Sequence, residues 1–298
     1  MFIQPPALKK GDSVYILSTA RKITREEIAP AISAFESWGL NVVVGNTIGK
    51  AEHQYAGSDK ERLDDFQIAL DNPAIKAIIC ARGGYGTVRM MEDINYNAFK
   101  KNPKWLAGFS DVTFLQTHIT NNIGLQVIHS IMPVQFTKST PEAIESLRKD
   151  LFGGGNEFIV VPHALNRTGK ATGPLTGGNL SIIYSITGTH SGMDTKGKIL
   201  FLEDIDEYLY HIDRMMMNLK RSGKLSELAG LIVGSFTEMK DNAIPFGKNA
   251  YEIIAEHVAE FNYPICFGFP AGHISDNRAL VFGKDYSLEV KGDAVKVY

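Results

Sequence analysis

Three side chains able to share one reaction stand where an apolar run of the 298-residue chain gives way to a turn. They are Ser110 in "KWLAGFSDVTFLQTH", Glu203 in "KILFLEDIDE" and His273 in "CFGFPAGHISDNRA". A serine hydroxyl attacks a carbonyl at neutral pH only with a base beside it, and a histidine base needs an acid that fixes its tautomer. Each residue also has a plainer reading. Ser110 and Asp111, between a strand and a helix, suit an N-cap, and "GFSDV" lacks the final glycine of the G-x-S-x-G nucleophile elbow. Glu203, with Asp204, suits a solvated loop or a cap, and His273 suits a loop histidine that is merely exposed or hydrogen-bonded. The order Ser, acid, His supplies a complete set of roles without deciding between these readings.

A second feature, "ARGGYGTVR" over residues 81–89, follows the apolar run "AIKAIIC". Glycines at such a turn permit positive φ and let backbone N–H groups approach an anion, whether a phosphate or the oxyanion of a tetrahedral intermediate. The same residues also suit a tight turn, and the pattern is not G-x-G-x-x-G. The eight histidines are scattered, without H-E-x-x-H or a Cys/His cluster, so neither a metal nor a cofactor is expected. His118, on a helix, and His129, ending "LQVIH", read as structural. Cys80 and Cys266 each lie in an apolar run and read as buried free thiols.

The elements that must position these residues alternate. "SVYILSTA" reads as a strand, and "TREEIAPAISAFESWG" as a helix whose Ile28, Ala31, Ile32 and Phe35 share a face. Thr24 and Glu27 have capping-box spacing, while Pro30 suggests a kink or a start nearer to it. A strand "LNVVVG", a helix from about Ser58 burying Leu63, Phe66 and Leu70, and the strand "AIKAIICA" continue the rhythm. This predicts an α/β chain whose N-terminal domain holds a doubly wound, mainly parallel sheet, with ligands beyond the carboxyl ends of its strands. Residues 138–172 are turn-rich and read as a linker between an N-terminal domain, 1–137, and a C-terminal α/β domain, 173–298. The second domain has strands "KILFLEDIDE" and "LAGLIVGSF", with a helix between them whose stripe is Leu209, Ile212, Met216 and Leu219. The methionines at 215–217 read as core, and "YSLEVKGDAVKVY" as a closing hairpin.

The composition, 44% hydrophobic and 21% charged, is that of a globular protein. A formal net charge of -2 lacks the basic excess that nucleic-acid binding requires. The N-terminal "MFIQPPALKKGDSVYILSTA" has no signal-peptide pattern, and no apolar stretch approaches the ~20 residues of a membrane span, so the expectation is a soluble, cytoplasmic protein.

Taken in order, "ARGGYG", "GFSDVT", "GGNLS", "FLEDIDE" and "GFPAGH" resemble the LD-carboxypeptidase family, from "PPALKKGD" to "LVFG". The resemblance implies serine peptidases with a Ser-His-Glu triad that remove terminal D-alanine from murein tetrapeptides, at an L-centre to D-residue bond, in cytoplasmic peptidoglycan recycling. By position it makes Ser110 the nucleophile, His273 the base and Glu203 the acid, with an oxyanion hole at the backbone N–H groups of Gly84 and Asp111. It also implies a site between two domains and a homodimer. The family includes peptidases conferring immunity to microcin C, so a hydrolase of peptidyl or aminoacyl nucleotides is an alternative. A non-catalytic nucleotide-binding module using "RGGYG" as a phosphate cradle is another. Two departures bear on the substrate: many members have Pro-Ser-Ser where this chain has "STARK", and a His-Gly-Pro-Met-like segment where it has "HSIMP".

Overall fold

The computed structural model describes residues 2–298 and contains two sheets flanked by helices. The first half runs β1 (Ser13–Leu17), α1 (Arg25–Ser37), β2 (Asn41–Val44), α2 (Asp59–Asp71) and β3 (Ile75–Cys80). It continues with α3 (Asn97–Lys101), β4 (Trp105–Gly108), α4 (Thr113–His118) and β5 (Val127–His129). Residues 138–172 carry α5 (Pro141–Leu151), β6 (Phe158–Val160) and the start of β7 (Gly169–Asn179). There follow α6 (Leu180–Ile186), β8 (Ile199–Ile205), α7 (Leu209–Arg221), β9 (Gly230–Thr237) and α8 (Ala250–His257). The chain closes with β10 (Ile265–Phe267), β11 (Leu280–Phe282), β12 (Asp285–Val290) and β13 (Val295–Val297).

The first sheet has the order β11-β5-β4-β3-β1-β2 and is parallel except for β11, which returns from the C-terminal part to pair with β5. The second has the order β10-β9-β8-β7-β12-β13-β6. In it β7, β8, β9 and β10 are parallel, and the hairpin of β12 and β13 is antiparallel. From β1 the chain passes to β2 on one side, and β3 lies on the other. The loops after β1 and β3 therefore flank a topological switch point, where a crevice opens.

Local chemistry explains the elements nearest that crevice. The Thr24–Glu27 capping box is formed, with Oγ1 of Thr24 accepting from Glu27 N–H and Oε2 of Glu27 from Thr24 N–H. Helix α1 thus begins at Arg25 rather than nearer Pro30, whose missing N–H removes one bond close to the start. Helix α2, capped by Ser58 and Glu61, buries Phe66 and Leu70 but has no basic residue in its last turn. Lys104, leading into β4, supplies one: its Nζ donates to the carbonyls of Ala69, Leu70 and Asn72 at 2.9, 2.9 and 2.7 Å. Burial, helped by Lys76, pushes this amine down to about 8. On α7, Met215 and Met216 are buried, whereas Met217 is exposed, because three consecutive helical residues cannot share one face.

The second sheet reaches the first through small residues at the end of β7. A Cβ on Gly177 would run into the carbonyl oxygen of Phe201 on β8. One on Gly178 would lie 2.7 Å from Oγ1 of Thr113, where α4 begins. Asn179 N–H then donates to that Oγ1 at 3.2 Å. Gly177→Ala meets rigid backbone at a φ of 142° and should destabilise the fold by roughly 2–5 kcal/mol, measured by urea unfolding. A loss under 0.5 kcal/mol would contradict this close approach.

Candidate active site

Ser110 sits on the sharp turn between β4 and α4. Phe109 before it is extended, and Ser110 itself has a φ of 61°, a left-handed conformation that costs a non-glycine residue about 1–3 kcal/mol. The cap reading fails here, since no side chain caps the turn that opens at Ser110 and its Oγ instead meets Nε2 of His273 at 3.2 Å. The opposite wall is close: a Cβ at position 83 would come within 3.2 Å of that Oγ, a tight contact that glycine avoids. Asp111 is buried, and its Oδ2 accepts from Thr87 N–H at 2.9 Å, tying the "ARGGYG" loop to the turn. Burial raises the Asp111 carboxyl against the lowering effect of the Thr87 bonds.

His273 lies in the loop after β10. Its Nδ1–H donates to Oε2 of Glu203 on β8 at 2.7 Å, and Glu203 has no exposed surface. A carboxylate removed from water is costly unless hydrogen-bonded, so the two residues hold one another. Gly272 allows the approach, because at its φ of 116° a Cβ would meet Ser235 Oγ and come within 2.9 Å of Glu203 Oε2. Burial opposes a charge on His273, but the charge and hydrogen bond of Glu203, with Asp204 and Glu238 beyond it, outweigh burial and raise the imidazole above its ordinary value.

Three further residues buttress the site: Asn277, which sequence reasoning did not single out, His129, which it read as structural, and Asp204, which it read as a solvated loop or cap residue. The Oδ1 atom of Asn277 accepts from Gly272 N–H at 2.8 Å and from Nε2 of the buried His129 at 3.2 Å. Burial holds His129 neutral, pushed down to about 4, which suits a structural donor. Asp204, next to Glu203 on β8, accepts from Nδ2 of Asn179 and from Ser181 N–H, fixing the start of α6. Burial, then the charge of Glu203, raises its carboxyl to about 7.

Ser110, His273, Gly84, Asp111 and Asp204 line one cleft of about 440 Å³, with Glu203 behind His273. Arg21 of "STARK" and Met132 of "HSIMP" line it too, so both sequence departures fall on its wall. Among the described residues no group of three or more metal-binding side chains occurs, and no helix is long and apolar enough to cross a membrane. A hydroxyl bonded to an imidazole that is itself bonded to a buried carboxylate is an arrangement suited to nucleophilic acyl transfer.

Over residues 14–130 the chain matches the LD-carboxypeptidase N-terminal domain, and over 172–288 the LD-carboxypeptidase C-terminal domain. It is 36% identical to a "Probable murein peptide carboxypeptidase" of Bacillus subtilis, covering 94% of this chain and 89% of that protein. It is 28% identical to the murein tetrapeptide carboxypeptidase of Pseudomonas aeruginosa, covering 93% and 92%. Among solved structures, muramoyltetrapeptide carboxypeptidase from Oxalobacter formigenes superposes with a TM-score of 0.87 at 26% identity, over 96% of this chain and 97% of that one. MccF in complex with glutamyl sulfamoyl guanosine shares the fold, with a TM-score of 0.87 at 22% identity over 98% and 97%.

Since His273 titrates above the ordinary histidine value, the Glu203–His273 pair contributes its stability fully below the unfolded value near 6.5 and loses it as pH rises through the folded one. Glu203→Gln removes the largest raising influence and leaves burial opposed only by Asp204 and Glu238. The NMR titration of His273 should then move downward, and an unmoved titration would contradict the pairing.

Proposed function

The chain belongs to the LD-carboxypeptidase family, and we propose that it is a serine carboxypeptidase that removes the terminal D-alanine of murein tetrapeptides. The relatives' names support the substrate class. The observation that carries the mechanism is the continuous chain Ser110–His273–Glu203, with bonds of 3.2 and 2.7 Å, at a strained strand-to-helix turn.

In this reading His273 takes the Ser110 proton as Oγ attacks the carbonyl that joins the L-centre to D-alanine. Glu203 holds the imidazole in register and balances the positive charge it acquires. The N–H groups of Asp111 and Gly84 hold the oxyanion, each such donor being worth about 10²–10³ in rate in comparable sites. D-alanine leaves with the proton from His273, and water, deprotonated by the same base, releases the tripeptide from Ser110. The family resemblance supports cytoplasmic peptidoglycan recycling as the setting and a homodimer as the assembly.

Ser110→Ala, folded as judged by circular dichroism, should release D-alanine from the tetrapeptide at least about 10⁴-fold more slowly than wild type. Equal rates would overturn the nucleophile assignment. The base must be neutral to act, so kcat/KM of wild type should fall as pH drops through a value above 6.5, the ordinary histidine range. An acid limb centred well below 6.5 would speak against His273 as the base.

A further inference from the structure

The charges of the cleft are almost all committed to partners. Outside the Ser110–His273–Glu203 chain its walls carry Arg21, Arg82, Asp111, Asp204 and Asp206. Asp111 accepts from Thr87, Asp204 from Asn179 and Ser181, and Asp206 pairs with Lys240 at 2.6 Å. Arg82 faces Glu27 at 3.7 Å and reaches the carbonyl of Lys22. Arg21 differs. Its backbone is anchored, the N–H donating to Gly83 O at 3.4 Å and the carbonyl accepting from Ser18 Oγ at 2.7 Å. Its guanidinium, in contrast, meets no carboxylate or carbonyl among the described residues.

Position adds to charge. The Arg21 stem lies across Gly84, where a Cβ would fall 2.5 Å from Cδ and 3.2 Å from Nε. The adjoining Gly83 backs directly onto Ser110 Oγ. A free guanidinium therefore lies along the same loop that borders the nucleophile. In a substrate cut at its last peptide bond, the free carboxylate is two bonds beyond the scissile nitrogen, so it must lie within a few ångströms of the attacked carbon. Few groups suit a carboxylate better than a planar guanidinium fork, which binds both oxygens at once.

We propose that Arg21 binds the free α-carboxylate of the leaving residue and so restricts this cleft to the chain end. The proposal rests on the carboxypeptidase reading above and goes beyond it by naming the specificity residue. An uncharged chain end, or a peptide that continues past the scissile bond, leaves the guanidinium unpaired and is rejected for that reason.

The test compares the tetrapeptide with its C-terminal amide, which presents the same scissile bond without the charge, using wild type, Arg21→Gln and Arg21→Lys. Arg21 is exposed, so its replacement leaves the core intact, and equal melting temperatures check this. Wild type should favour the free acid in kcat/KM. Arg21→Gln should lose about 10- to 100-fold on the acid and little on the amide, so that the acid-to-amide ratio collapses, and Arg21→Lys should fall between. An unchanged ratio in Arg21→Gln, with wild type still releasing D-alanine, would overturn the clamp alone. Wild type cleaving neither peptide would overturn the carboxypeptidase reading and the clamp with it.

Discussion

Burying the Glu203 carboxylate is the constraint around which the site is built. With no exposed surface it must be met by a donor, and the donor is Nδ1–H of His273 at 2.7 Å. To bring an imidazole from a loop onto a buried acid of β8, the backbone beside the histidine must pass closer than a side chain allows, and Gly272 does so. Asn277, bonded to Gly272 and to His129, holds that loop from beneath. The remaining imidazole nitrogen then has one direction left, toward Ser110.

A second constraint acts from the other sheet. Ser110 projects into the cleft because its turn is held in a left-handed conformation, and such strain persists only where the surroundings over-determine it. The surroundings here are the glycines of the "ARGGYG" loop, the Asp111–Thr87 bond, and β7, whose Gly178 and Asn179 sit against the first residue of α4. Glu203 and Asp204 are neighbours on β8, at the point where its register with β9 shifts, and they hold different partners. One steadies the imidazole, the other the start of α6.

Much of this was legible in the residues. The βαβ rhythm, the Thr24–Glu27 capping box, the closing hairpin and the placing of Ser110 and His273 in turns after strands follow from period, caps and turn signals. Glu203, expected in a loop after its strand, instead lies buried within β8, because that strand continues to Ile205. What was not legible depends on contacts distant in sequence. Asn277 and His129 act on His273 through one shared oxygen, and Lys104 caps a helix more than 30 positions before it; no local pattern announces either. Ser110 itself was ambiguous, because a serine before a helix reads equally well as a cap, and only the backbone angle and the position of His273 separate the two readings. Helix α5 was missed because the turn residues around it dominate its neighbourhood, although Thr140 and Pro141 form an ordinary helix start.

The central claim is that hydrolysis passes through an ester on Ser110, and hydroxylamine partitioning tests it most directly. With the murein tetrapeptide as substrate, an acyl-enzyme released by water or by hydroxylamine should yield tripeptidyl hydroxamate. That product should grow with hydroxylamine concentration at the expense of the free tripeptide, while D-alanine continues to be released. Free tripeptide alone at every hydroxylamine concentration would contradict an acyl-enzyme and point to direct attack by water.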